Sequence, residues 1–205
     1  MPGARGDVTL IGFLELLQSM MLHHNFLVCS SLMVRTEIYR DDIKHWGRNL
    51  FRSACDVDVF LRLASKQTVA VLGEQLMRYR ISSGQFSHSN RNRTERADFF
   101  LVIDHYIGIA EVLSLITKDD LRHYRWLKRH DRVARAFNLF GLSRVAEAKQ
   151  LLKGVFCCDA IYAAIMSRRG LITLSGFFLL STFIPFGTSS KAVAVIKAIK
   201  KISWR

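Results

Sequence analysis

The stretch Ala54-Cys55-Asp56-Val57-Asp58-Val59-Phe60-Leu61-Arg62-Leu63-Ala64 opens with two carboxylates and then turns apolar at helical spacing. That pattern predicts a helix over 54–64 whose first turn is acidic. Acids are favoured there by the macrodipole and by the unsatisfied N–H groups, so the placement alone does not demand chemistry. Ser53, three residues before Asp56, fits a variant of the capping box. Asp58 and Arg62 stand four apart, the spacing of a surface ion pair, which gives Asp58 a structural role. Asp56 is left as the candidate for catalysis, held ionised by the helix N-terminus.

Two further stretches flank this helix. Ahead of it runs Asn25-Phe26-Leu27-Val28-Cys29-Ser30-Ser31-Leu32-Met33-Val34-Arg35, in which Phe26 to Val34 predicts a strand. Behind it come Thr68 to Leu72 and Gln75 to Arg80, two short strands joined near Gly73, the second ending in Tyr79-Arg80. Leu10 to Leu22 carries helical apolar spacing, and Phe99, Val102, Ile103, Tyr106, Ile107 and Ala110 predict one amphipathic helix from about 93 to 116. The order is an α/β edge followed by helix.

The triple of small-residue strand, acidic helix and Tyr-Arg strand end resembles the acceptor-side half of a bacterial family 2 glycosyltransferase of the GT-A type, in which the helix has the form D-x-D-L-W-L-R-L-A. The match covers about residues 8 to 118. The resemblance implies a partial GT-A-like α/β domain over 1–118, followed by a basic α-helical C-terminal region over 119–205. It implies that Asp56 is the general base that deprotonates an acceptor hydroxyl as it attacks the anomeric carbon of a nucleotide-sugar. Trp46, in the loop His45-Trp46-Gly47-Arg48-Asn49-Leu50-Phe51, reads either as a stacking platform for the acceptor sugar or, as loop aromatics more often are, as a packing residue, and Arg80 would contact the acceptor.

Several positions depart from the family pattern. Position 55 is Cys rather than a small polar residue, and Ser82 stands where many members carry a metal-binding His. The resemblance implies Mg or Mn on the donor diphosphate, yet no Asp-x-Asp motif closes a nucleotide-binding half ahead of these residues. Asp41-Asp42 and Asp119-Asp120 do not follow a hydrophobic strand as that motif would. No metal ligand is assigned. The chain reads as a C-terminal fragment, a shortened gene product or one part of a split enzyme whose donor site comes from a partner chain. The missing ligands argue against activity of the chain alone. The competing reading is a non-catalytic, membrane-associated scaffold derived from such an enzyme.

Half of the 205 residues are hydrophobic and only two are proline, enough for a substantial core. Cys29, Cys55, Cys157 and Cys158 show no C-x-x-C spacing, and the first residues carry no basic segment followed by an apolar core; both point to a cytosolic compartment. Charge is unevenly spread: residues 1–120 hold 14 Lys plus Arg and 14 Asp plus Glu, whereas residues 121–205 hold 16 and 3, so the net +13 falls in the last 85 residues. A basic segment of this kind meets nucleic acid, an anionic membrane surface or an acidic polymer.

Leu121 to Phe140 and Leu142 to Phe156 predict two helices split at Gly141, packed antiparallel. From Gly170 to Gly187 the chain is almost wholly apolar but shorter than the roughly 20 residues of a bilayer span. It predicts a helix lying in the membrane interface, or equally one that covers the helical hairpin as core. Lys191 to Arg205 alternates Val and Ile with Lys and Arg as a basic amphipathic helix does. Together these predict a peripheral location at the inner membrane. Nucleic-acid binding has Trp126, among Arg122, Arg125, Lys128, Arg129 and Arg132, as its sole aromatic platform, and the pattern argues against it.

Overall fold

The computed structural model describes residues 8–74, 76–78, 80 and 92–186. These residues are mostly helical, with a small two-stranded antiparallel sheet. The chain divides into two compact units, Met1–Ile81 with Ala97–Tyr124, and Ser82–Arg96 with Arg125–Arg205.

In the first unit β1 (Val8–Ile11) pairs with β2 (Val69–Leu72), Val8 opposite Leu72 and Ile11 opposite Val69. Both strands are rich in β-branched residues, which suit a pleated surface. Helix α1 (Phe13–His23) starts at Gly12, whose N–H is accepted by Glu15 Oε2 at 2.9 Å. It buries Leu16, Leu17, Met20 and Met21, one stripe of the helix. A short α2 (Thr36–Ile38) runs into a π-helical turn, Tyr39–Ile43, and α3 (Arg48–Phe51) leads through a 3-10 turn to α4 (Cys55–Lys66). Helix α4 is buried on nearly every side, from Val57 through Leu61 and on to Leu63 and Ala64. It packs against α1 and against α5 (Phe99–Ile107), which makes it the centre of this unit.

Three expectations are corrected here. Phe26–Val34 forms no strand; its middle is a 3-10 turn, Cys29–Ser31, because Ser31 turns both its N–H and its hydroxyl back onto the Val28 carbonyl. Leu76, Met77, Arg78 and Arg80 are irregular, while Gln75, Tyr79 and Ser82 lie outside the described residues. The helix expected over 93–116 is two helices, α5 and α6 (Ala110–Leu115), because the chain breaks at Gly108 and turns extended at Ile109.

Helix α7 (Lys118–Gly141) begins in the first unit and continues into the second. There it is joined by α8 (Val145–Leu152), α9 (Cys158–Met166) and α10 (Arg168–Phe183). The core of this unit is Val133, Ala136, Leu139, Phe140, Ala148, Leu152, Val155 and Leu180. The α7–α8 turn is made by Ser143 at φ +63 and not by Gly141, which stays in the helix, and Arg144 N–H closes the turn on the Leu139 carbonyl at 2.9 Å. Only Ser167 separates α9 from α10; its hydroxyl oxygen accepts the Gly170 N–H at 2.9 Å, an N-cap. The apolar run expected to begin at Gly170 is helical to Phe183 and ends in a 3-10 turn, Ile184–Phe186. Gly187 and the basic segment 191–205 lie outside the described residues. Among the described residues, no helix is long and apolar enough to cross a membrane.

Candidate functional site

The first turn of α4 holds two carboxylates that the fold treats differently. Asp58 is buried, and the expected surface pair with Arg62 is therefore corrected: Arg62 Nε donates to Asp58 Oδ2 at 2.9 Å inside the unit. Tyr106 on α5 donates its hydroxyl to the other oxygen, Oδ1, also at 2.9 Å. Arg62 spends its remaining nitrogens on the carbonyls of Ile43, at 2.9 Å, and His45, at 2.8 Å. Gly47 passes so close that a Cβ there would stand 3.3 Å from Asp58 Oδ2 and 3.0 Å from the Phe51 ring. Neither Tyr106 nor Gly47 announced this role in the sequence, because their partner is distant along the chain.

Asp56 is half-buried. Its Oδ1 accepts the Val57 N–H at 2.9 Å, and among the described residues no side chain donates to it. Burial pushes its carboxyl above the ordinary range, against the pull of the Val57 N–H and its own, so the net effect runs opposite to that expected of the helix N-terminus. The expected capping box is also absent: Ser53 gives both its N–H and its hydroxyl to Asp98 Oδ2. Next to Asp56, burial raises the Cys29 thiol, helped by the charges of Asp56 and Cys55. Cys55 itself is buried as a small apolar residue, which accounts for a cysteine at that position.

Trp46 is half-buried beside Ile43, Val59 and Leu63, and its indole N–H donates to the Tyr39 hydroxyl. It sits in a packing cluster, on a loop that Arg62 ties to α4 through the Ile43 and His45 carbonyls. Arg80 is exposed on irregular backbone beyond β2.

The acid pairs have other partners. Asp41 meets Arg40 at 3.1 Å, and Asp119 meets Arg122 at 2.5 Å. Burial pushes the Asp120 carboxyl up, but bonds from the Thr117 hydroxyl and N–H and from the Gln18 amide outweigh it and hold it low. Among the described residues, no group of three or more His, Cys, Asp and Glu side chains is placed to hold a metal ion, so the cation implied by the resemblance has no fitting donor set there. In the second unit the Trp126 ring lies 5.9 Å from that of Tyr162, and Arg129 is paired with Asp159 at 2.6 Å. Arg132 bonds the carbonyls of Leu151 and Lys153. These partners draw the basic stripe inward.

Compared with known proteins, the chain matches no protein-family model, no curated protein and no solved structure.

Proposed function

We propose that this chain is the acceptor side of a glycosyltransferase of the family 2 type, with Asp56 as general base and with the donor site contributed by a partner chain. The observation that carries the reading is the contrast within one helical turn. Asp58 has both oxygens engaged by side chains, whereas Asp56 is held only by backbone N–H groups and is left open to a ligand. A carboxyl raised toward the working pH is also the better base. In the reaction the acceptor hydroxyl gives its proton to Asp56, and its oxygen bonds to the anomeric carbon. The bond from that carbon to the diphosphate breaks with its electrons, releasing the nucleoside diphosphate and inverting the centre.

The β1–β2 ribbon supports a partner chain. Val8, Leu10, Ala70 and Leu72 share one face of it and are all exposed, an apolar face on a ribbon too small to be stable by itself. The proposed setting is the cytoplasmic surface of an anionic membrane, where a glycan or lipid acceptor is extended. A scaffold without catalysis is the second reading; it is favoured by the exposed apolar helices of the second unit and has no need of Asp56.

Calorimetric titration with UDP, GDP and their sugars in the presence of Mn reports whether this chain or its assembly holds a donor. In an assembly that transfers, Asp56→Asn is expected to lower the rate at least about 100-fold, the scale of general-base catalysis, with the circular dichroism spectrum unchanged. Transfer that survives the change removes Asp56 as base and leaves the scaffold.

A further inference from the structure

We propose that the tip of the α9–α10 hairpin is a docking surface for an anionic lipid bilayer, inserting Ile165, Met166, Leu171 and Ile172 into the headgroup–acyl boundary. This rests on the membrane-surface part of the reading above and names the element responsible. Those four side chains lie within eight residues that reverse direction at Ser167, and they are 77%, 60%, 54% and 40% exposed. Ile161 and Tyr162 extend the apolar surface along α9, and Phe178 extends it along α10.

The opposite sides of the same helices make the core contacts, through Ala160 and Ala163 on α9 and Gly170, Thr173 and Leu180 on α10. The hairpin cannot close over its own surface. Gly170 is pressed so tightly on Ala163 that a Cβ would stand 2.1 Å from the Ala163 carbonyl oxygen. Helix α10 has 16 residues and so is about 24 Å long, short of the ~30 Å hydrocarbon core, which fits lying at the boundary rather than crossing it.

Charge selects the occupant. Within residues 121–205 there are 16 Lys plus Arg against three carboxylates. All three carboxylates are neutralised by arginines: Asp131 by Arg93 and Arg135, Asp159 by Arg129, and Glu147 by Arg144. Arg168 stands exposed between the apolar residues of the tip. Aliphatic side chains with an arginine among them, on a segment of net positive charge, suit lipid, because the chains need no directional partner and the guanidinium reaches phosphate.

The test is flotation of the full chain with phosphatidylcholine–phosphatidylglycerol vesicles and with phosphatidylcholine alone. Binding is expected to the anionic vesicles, to fall about tenfold or more in Ile165→Ser/Leu171→Ser, and to withstand salt better than binding to RNA does. A Leu171→Trp chain is expected to gain blue-shifted emission, quenched by brominated lipid, with anionic vesicles only. Asp56→Asn is expected to float like the unaltered chain, so transfer that survives this substitution, with flotation intact, overturns Asp56 as base and leaves the docking surface standing. Flotation unchanged by the double substitution overturns the proposal. So does Leu171→Trp emission already blue-shifted and shielded without vesicles; sedimentation then tells a second copy from a covering segment of the same chain.

Discussion

Tyr106 and Asp58 are joined across 48 positions of sequence by a buried hydrogen bond, hydroxyl to Oδ1, at 2.9 Å. Arg62, one turn along α4 from Asp58, takes the other oxygen and hands its remaining donors to the loop before Trp46. Three segments are thereby fixed to one carboxylate: α5, α4 and the 43–45 loop. A buried ionic group of this kind adds little net stability over an apolar replacement, but losing one member leaves the others stranded. The network therefore sets the arrangement around Asp56 more than it sets total stability.

Removing either member should show this. Tyr106→Phe is expected to cost about 1–2 kcal/mol, the loss of one bond to a charged acceptor, and Asp58→Ala about 3 kcal/mol or more, since Arg62 is left half-buried without its counter-ion. Burial first, then the Asp58 charge and hydrogen bond, hold the Tyr106 hydroxyl far above the usual tyrosine range of about 10. A raised pKa in the fold gives stability that is complete below pH 10 and is lost as pH rises beyond it. Urea midpoints measured from pH 8 to pH 11 should fall above pH 10 in the unaltered chain, and that component should vanish in Tyr106→Phe.

Local periodicity carried α1 and α4 because apolar spacing marks a buried helix whatever it packs on, so Leu16–Met21 and Val57–Ala64 were legible. The strand expected over 26–34 was not, since Ser31, bonded to the nearby Val28 carbonyl, competes with a ladder at no visible change in hydropathy. Glycine drew the α7–α8 break to 141, yet Ser143 takes the left-handed backbone. In the site, the identities of Asp56 and Asp58 were readable and their contrast was not. The pairing of Asp58 with Arg62 follows from spacing, but its burial is decided by Tyr106, which the sequence displays only as one more residue on an apolar stripe. Trp46 carries two readings, sugar platform and packing residue, and its ring lies half-buried against the cluster of Ile43, Val59 and Leu63.

Gly170 and Gly176 make a controlled pair on α10. A Cβ at 170 meets backbone, the Ala163 carbonyl, at 2.1 Å, and neither helix can yield without breaking the Ser167 cap. A Cβ at 176 meets side chains instead, Phe137 and Val133, both at 3.0 Å. Gly170→Ala is expected to destabilise by about 3 kcal/mol or more and Gly176→Ala by about 1 kcal/mol, the difference between forcing backbone apart and shifting rotamers. Thermal unfolding of the two variants checks the ranking. A loss at 176 equal to that at 170 would mean that the α7–α10 contact is as rigid as the hairpin.

His130 provides an acid-side test in the second unit. Its Nδ1 lies 2.9 Å from the Thr173 hydroxyl, and that hydroxyl donates to the Arg169 carbonyl at 2.8 Å, so Nδ1 carries a proton and donates it to Thr173. Burial lowers its pKa to about 4; the positive charges of Arg169 on α10 and of Arg93 act the same way, while Asp131 opposes them. The unfolded ring titrates near 6.5, so the unfolded chain binds the extra proton first, and stability complete above that pH is lost as pH falls toward 4. Between pH 7 and pH 5 the loss is expected to be about 2 kcal/mol. The raised Asp56 carboxyl titrates toward the same window, so it is the comparison with a His130 variant that identifies the histidine. His130→Gln, which keeps a donor for Thr173, should flatten this slope in urea titrations; a slope that persists would place the titrating group elsewhere in the chain.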